Sequence, residues 1–284
     1  MSQFHRTIAA VSPSGIHNPV MLQNSIELVE SWGHTVIRSP NHKKRHLYTA
    51  GTVEERLADL QWAMTAPEID TIWFIRGGYG TAQLLPHLPP ICNKNIIGFS
   101  DATALLSYGW YEDEPRKRRW TNLFHGPVLS SLATLPDEQS QIHVRNWLKN
   151  GTLPTVSGKH FLGPSDPITG PIVGGNLCVL ASLCGGFFKH DFNDCIVALE
   201  DIAEPLYKID RMLYQLEGVL KQAKGILLGS FHNCHPPKGV DYTLQDVFRE
   251  RLGQLNIPVY IDSPFGHNEV NWIWKYGQHI QLGE

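Results

Sequence analysis

What most constrains this chain is a pattern that recurs along its first hundred residues. Short, continuously apolar runs end abruptly in glycine or serine, and a helix-like stretch follows. Residues 71–75 (Thr-Ile-Trp-Phe-Ile) run straight into Arg76-Gly77-Gly78-Tyr79-Gly80. Ile96 and Ile97 pass through Gly98 into Phe99-Ser100-Asp101, and residues 102–106 continue at helical spacing. A run without polar alternation reads as a strand buried on both faces, which belongs in a parallel sheet covered by helices. Residues 7–11 supply a first strand, residues 21–32 a helix, residues 33–37 a second strand after a glycine cap, and residues 53–64 a helix capped by Thr52. Alternation of this kind predicts an open α/β sheet with its ligands at the carboxyl ends of the strands.

Two bends therefore face one edge. A serine where a strand turns sharply into a helix is a candidate nucleophile, because the turn exposes its hydroxyl beside unpaired helix N-terminal amides. The usual elbow has glycine on both sides; here Gly98 is present and Ala102 replaces the second. A plain N-cap serine with Asp101 in the first turn is the competing reading. Residues 76–80 offer backbone amides to an anion or an oxyanion, or else form a structural tight turn. No Gly-Lys-Ser/Thr follows them, so a phosphate loop is excluded.

Composition narrows the class. The 284 residues suffice for one large or two modest domains, with a net charge of −3 that gives no footprint for nucleic acid. No apolar run is long enough to span a membrane, and residues 1–11 do not resemble an export signal. Five scattered cysteines suit a reduced, cytoplasmic protein. Residues 150–171, rich in Gly, Pro, Ser and Thr, mark the expected domain boundary, and the charged residues 112–119 a surface loop.

Beyond the boundary, Gly174-Gly175-Asn176 opens a helix to about residue 183. Residues 195–199 form a strand ending in Glu200-Asp201, and residues 207–220 an amphipathic helix. Strands at 225–228 and 258–261 lead to His232-Asn233-Cys234-His235 and Pro264-Phe265-Gly266-His267. Serine catalysis needs a base and an acid that orients it. Among the histidines at strand ends (His125, His232, His235 and His267), His267 has the most rigid setting, and Glu200 is the matching acid at a strand's carboxyl end. Each also reads as an ordinary surface or capping residue. His232, Cys234 and His235 raise a metal reading, but no second Cys/His pair stands nearby, so no metal is expected.

Taken in order, the segments Ala50-Gly51-Thr52…Glu55-Arg56…Asp59-Leu60, Arg76-Gly77-Gly78-Tyr79-Gly80, Gly98-Phe99-Ser100-Asp101-Ala102-Thr103-Ala104-Leu105, His125-Gly126-Pro127, Gly174-Gly175-Asn176-Leu177, Leu199-Glu200-Asp201, Asp210-Arg211-Met212-Leu213 and Pro264-Phe265-Gly266-His267 resemble the LD-carboxypeptidase family of serine peptidases. The resemblance implies a flavodoxin-like parallel-sheet domain over residues 1–155 carrying the nucleophile. A smaller C-terminal α/β domain over residues 156–284 would carry the acid and base, with the active site at the interface. It further implies Ser100 as nucleophile, His267 as base, Glu200 as acid, and the amides of Gly78 and Asp101 as oxyanion hole. The implied reaction is release of the terminal D-alanine from a murein tetrapeptide in peptidoglycan recycling, by a cytoplasmic homodimer without a cofactor. Arg76 is our candidate for holding the terminal carboxylate. Alternatives are a microcin-immunity-type peptidase acting on peptidyl-nucleotides and a catalytically silent muropeptide-binding protein. A glutamine-amidotransferase-like enzyme would need a cysteine at the elbow, where this chain has serine.

Overall fold

A computed structural model describes residues 4–89, 92–110, 120–186 and 190–283. Two compact units divide the chain between Pro154 and Thr155, and Trp272–Lys275 return to the first. The charged stretch 112–119 lies outside the described residues.

In the first unit, β1 (Thr7–Val11) leads to α1 (Pro19–Ser31), β2 (Thr35–Arg38), α2 (Val53–Thr65), β3 (Thr71–Phe74), β4 (Asn95–Gly98), α3 (Thr103–Trp110), β5 (Leu123–His125) and α4 (Glu138–Asn150). The apolar runs explain the strands: Ile8 to Val11, Ile72 to Phe74, and Ile96 with Ile97 are fully buried, as strands covered on both faces must be. Their order is β2-β1-β3-β4-β5, all parallel, which is the flavodoxin-like arrangement, with its topological switch between β1 and β3. The Asn18 side chain caps α1, and its buried Leu22, Ser25, Ile26 and Val29 recur at helical spacing. Thr52 and Glu55 cap α2 reciprocally. Residues of α1 and α4 pack with Trp73, Ile97 and Phe124 in one core.

The second unit contains β6 (Lys159–Leu162), β7 (Ile168–Asn176), α5 (Leu177–Leu183), β8 (Ile196–Ile202), α6 (Leu206–Leu220), β9 (Gly225–His232), α7 (Leu244–Leu252) and β10 (Val259–Ile261). The chain closes with β11 (Trp274–Lys275) and β12 (His279–Leu282), one strand for each sheet. β11 adds antiparallel to β5, while β12 and β6 flank the parallel strands β7-β8-β9-β10 as antiparallel edges.

The division between the units falls within residues 150–171, which also hold β6 and the start of β7. Other expectations are corrected. The helix expected just after Gly80 is two short 3-10 turns, Thr81–Gln83 and Leu85–His87, and Pro86 explains why no longer helix forms. Glu200 and Asp201 lie inside β8 rather than beyond it, and β9 runs on through His232.

Glycines fix the close approach of strands. A Cβ at Gly174, whose φ is +122°, would lie 2.1 Å from the Ala198 carbonyl oxygen of the neighbouring strand. Gly151 ends α4 at φ +78° with nothing within 4 Å of such a Cβ. Gly174→Ala should therefore cost about 3 kcal/mol, combining backbone strain with overpacking. Gly151→Ala, strained but not crowded, should cost about 1 kcal/mol. Urea unfolding of the two variants side by side checks the difference.

Candidate active site

The elbow is built from small residues. After β4 the chain is extended at Phe99, and Ser100 then adopts φ +60°, a left-handed conformation that costs a residue with a side chain about 1–2 kcal/mol. Its surroundings leave no alternative. A Cβ on Gly98 would lie 2.4 Å from the Ala102 Cβ, so the turn tolerates Ala102 only because Gly98 is bare. The Gly126 N–H donates to the Gly98 carbonyl (3.0 Å) and the Ala102 N–H to the Phe99 carbonyl (3.2 Å). A Cβ on Gly77 would lie 2.8 Å from the Ser100 Cβ and 3.0 Å from its Oγ. The two bends expected to share an edge thus touch: the glycine backbone packs directly on the serine.

Seven further hydrogen bonds lock this edge. The Gly15 N–H donates to the Gly77 carbonyl at 3.0 Å, clipping the β1 loop to the β3 loop. Asp101, 5% exposed, accepts the Thr81 N–H at 2.9 Å, and Thr81 meets the Ser14 hydroxyl at 2.7 Å. Arg56, only 2% exposed, donates to the carbonyls of Pro13 (2.7 Å), Gly80 (2.9 Å) and Gly51 (3.2 Å) and to Gln83 Oε1 (2.6 Å). Burial pulls the Arg56 guanidinium below its usual range, while the Asp101 charge pushes it back up. One buried cation therefore gathers the loops after β1, before α2 and after β3, and the Asp101 carboxylate on the Thr81 N–H ties the Ser100 bend to them. Arg76 is exposed beside Gly77, and its guanidinium donates to the Ile16 carbonyl.

In the second unit, β8 carries Glu200 in full burial, and the β8–β9 register shifts between Leu199 and Asp201. The Glu200 Oε2 lies 2.6 Å from His267 Nδ1. A carboxylate only accepts, so Nδ1 is the donor of this pair and Nε2 is the ring nitrogen left for other partners. His267 is aimed by its neighbours. Gly266 has φ +127°, and a Cβ there would strike the Ser230 Oγ at 2.2 Å. The Ser230 N–H donates to the Phe265 carbonyl (2.9 Å), and the Gly266 N–H to Asn271 Oδ1 (3.3 Å).

The remaining histidine candidates are placed differently. His125 is fully buried, edge-on to Phe99 (5.1 Å) and stacked on Trp274 (4.7 Å). His232 and His235 are exposed. Between them the Cys234 thiol lies 3.6 Å from the His232 carbonyl, and burial pushes it up to about 11, a setting unfavourable to the thiolate a metal requires.

Sequence reasoning left two features without a role. Arg56 has a legible signal, because it falls on the same helical face as Leu60 and Ala63, where a charge is out of place. Asp201 has none, since nothing in the sequence shows that both members of Glu200-Asp201 are buried. Asp201 accepts from Asn176 Nδ2 (3.0 Å) and from the N–H groups of Cys178 (2.9 Å) and Ile202 (2.8 Å).

An elbow serine against a glycine-rich bend, and a buried glutamate holding a histidine, are the parts of a serine-type hydrolase. Comparison with known families gives the same class. Residues 8–112 match the LD-carboxypeptidase N-terminal domain and residues 169–282 the LD-carboxypeptidase C-terminal domain. The chain belongs to the LD-carboxypeptidase family, and it is a hydrolase with that family's carboxypeptidase activity. It is 33% identical to the murein tetrapeptide carboxypeptidase of Pseudomonas aeruginosa, over 97% of this chain and 92% of that one. It superposes on the crystal structure of muramoyltetrapeptide carboxypeptidase from Oxalobacter formigenes with a TM-score of 0.81 and 28% identity, covering 98% of this chain and 95% of that one. It shares its fold with MccF, solved in complex with glutamyl sulfamoyl guanosine (TM-score 0.84, 21% identity, 99% of this chain and 95% of that one).

Asp201 yields a pH test. Burial, and then the Glu200 charge, push its carboxyl from 3.8 up to about 6. An acid that holds its proton more tightly folded than unfolded makes stability fall as pH climbs from about 4 to about 6, here by about 2–3 kcal/mol. Asp201→Asn should flatten that fall. Urea unfolding across the window checks it, and an unchanged slope would assign the titration to another group.

Proposed function

We propose that this protein is a serine carboxypeptidase that releases the terminal D-alanine of murein tetrapeptides, cutting the bond between the L-centre of the third residue and D-alanine. The observation that carries the mechanism is the 2.6 Å bond from fully buried Glu200 to His267, which fixes the tautomer a general base needs. The strained, glycine-backed Ser100 supplies a matching nucleophile.

In this reading, His267 Nε2 takes the Ser100 Oγ proton as Oγ attacks the carbonyl carbon, and Glu200 stabilises the imidazolium. The amides of Gly78 and Asp101 receive the oxyanion, each donor contributing about 2.7–4 kcal/mol in comparable sites. Two features favour them: Gly78 holds φ +116°, and the Asp101 N–H lies in the first turn of a helical segment, where intrahelical acceptors are lacking. The C–N bond then breaks as His267 returns its proton to the leaving amine. Water, deprotonated by the same imidazole, hydrolyses the acyl-enzyme and regenerates Ser100. A terminal carboxylate requires a cation, and Arg76 beside Gly77 supplies one.

The murein substrate is supported by the 33% identical carboxypeptidase. The family resemblance favours a cytoplasmic homodimer acting in peptidoglycan recycling, and no helix among the described residues is long and apolar enough to cross a membrane.

The test is D-alanine release from purified tetrapeptide and disaccharide-tetrapeptide by wild type, Ser100→Ala and His267→Ala. Wild type should release D-alanine, and either substitution should cut kcat by about a thousandfold or more. Equal release by wild type and Ser100→Ala would overturn the mechanism. Release by none would overturn the substrate and direct attention to peptidyl-nucleotides.

A further inference from the structure

In a flavodoxin-like sheet, the crevice beyond the carboxyl ends of β1 and β3 is where strand order reverses, and ligands bind there. In this chain the crevice is bordered by the loop after β1, the loop after β2 and the first residues after β3. His17, from the first loop, is 8% exposed; its Nδ1 lies 3.3 Å from the Ser12 hydroxyl, and its ring stacks on His42 at 5.9 Å. His42 is itself tethered, with Nδ1 2.7 Å from the Ser39 carbonyl. Arg76 reaches across from β3 to the Ile16 carbonyl, next to His17.

The charges here are all of one sign. Burial, with His42, Arg45 and Arg76 adding to it, pulls the His17 imidazole down to about 4. Lys44 on the same loop has Glu55 at 3.4 Å, whereas among the described residues no carboxylate lies within ion-pairing distance of Arg45 or Arg76. Helix α1, thirteen residues long, begins at Pro19 and adds the positive end of its dipole. Cations left uncompensated at the ligand-binding edge of a sheet are complementary to an anion.

The distance to the chemistry selects the anion. Gly77 packs on Ser100, Arg76 precedes it, and the Gly15 N–H joins the two loops. In a peptide cleaved at its last bond, the terminal carboxylate carbon lies no more than about 4.3 Å along the bonds from the attacked carbonyl carbon. A carboxylate that close to Ser100 falls within reach of side chains flanking Gly77, and one further along the peptide does not. We propose that His17, His42, Arg45 and Arg76 form the subsite for the terminal carboxylate of the leaving residue, a proposal that rests on the carboxypeptidase reading above. Arg76 and Arg45 supply charge, and the two stacked imidazoles supply donors that strengthen as the anion enters. This subsite makes the enzyme an exopeptidase, because an internal peptide bond presents an uncharged amide where the carboxylate would sit.

The test compares kcat/KM for a tetrapeptide ending in D-alanine with the same peptide ending in D-alaninamide. Wild type should favour the acid, and Arg45→Gln and Arg76→Gln should each lower the acid-to-amide ratio by about tenfold or more, the size of one charge-assisted hydrogen bond. Both arginines are exposed, so folding is not at stake, and a merely structural loss would lower both rates and leave the ratio alone. An unchanged ratio in both variants overturns the subsite while leaving the carboxypeptidase reading intact. A second measurement needs no turnover. N-acetyl-D-alanine and N-acetyl-D-alaninamide are titrated into Ser100→Ala while the imidazole resonances of His17 are followed, assigned with His17→Gln. The acid should shift them and the amide should not; no shift with the acid, or equal shifts with both, overturns the proposal even if no peptide is cleaved.

Discussion

The carboxyl edge of the first unit's sheet is arranged around Ser100, held at φ +60°. Such a backbone costs about 1–3 kcal/mol and persists only where the surroundings exclude the relaxed alternative. Here missing side chains make the room: Gly77 lacks the atom that would push the serine away, and Gly98 lacks the one that would strike Ala102. The Gly15 and Gly126 N–H groups hold the Gly77 and Gly98 carbonyls, and Arg56 braces the surrounding loops by binding the Pro13, Gly51 and Gly80 carbonyls at once from the buried face of α2. A cation so buried would be costly if unpaired, and its donors are spread over several acceptors, which makes its position over-determined. The buried strands β3 and β4, with Ile72 to Phe74 and Ile96 and Ile97 fully enclosed, supply the floor.

The second unit solves a different problem, which is holding a carboxyl group with no exposure to water. Glu200 is fully buried, and its strong partner is the imidazole 2.6 Å away. Asp201 beside it accepts three hydrogen bonds, from Asn176, Cys178 and Ile202, yet its carboxyl is still pushed up to about 6. The adjacent acids are thereby driven apart in behaviour: one is committed to orienting a histidine, and the other is bound into the strand-to-helix connection at Asn176. Consecutive side chains of a strand point to opposite faces, and the β8–β9 register shifts at this place, between Leu199 and Asp201.

The legibility of this chain follows that division. Strands β1, β3 and β4 were readable because burial on both faces leaves an unbroken apolar signature. Helix α2 was readable from Thr52 and Glu55, whose capping box is a local interaction. Ser100 and the Gly77–Gly78 bend were readable because backbone conformation restricts residue type. The strands within residues 150–171 were not, since β6 is half-exposed and β7 opens with glycine and proline, which mask a strand's signature. Nor was β11, whose two residues pair with β5 from far along the chain, a purely tertiary event. The same limit applies to Asp201 and His17, whose unusual settings arise from neighbours distant in sequence.

Charge placement ties these observations together. In the interior each charged group is matched: Arg56 has carbonyls, Glu200 has His267, and Asp101 has the Thr81 amide. Lys44 at the surface has Glu55. Against that background Arg45 and Arg76 differ, because neither has a carboxylate within ion-pairing distance among the described residues, and both lie near buried His17 and half-buried His42. A protein stabilised only for its own sake would gain from a carboxylate at that position, through relief of like-charge repulsion. In the carboxylate subsite proposed above, leaving the position open keeps the repulsion in the empty site until an anion relieves it. Part of the affinity then comes from the empty state's own electrostatic cost.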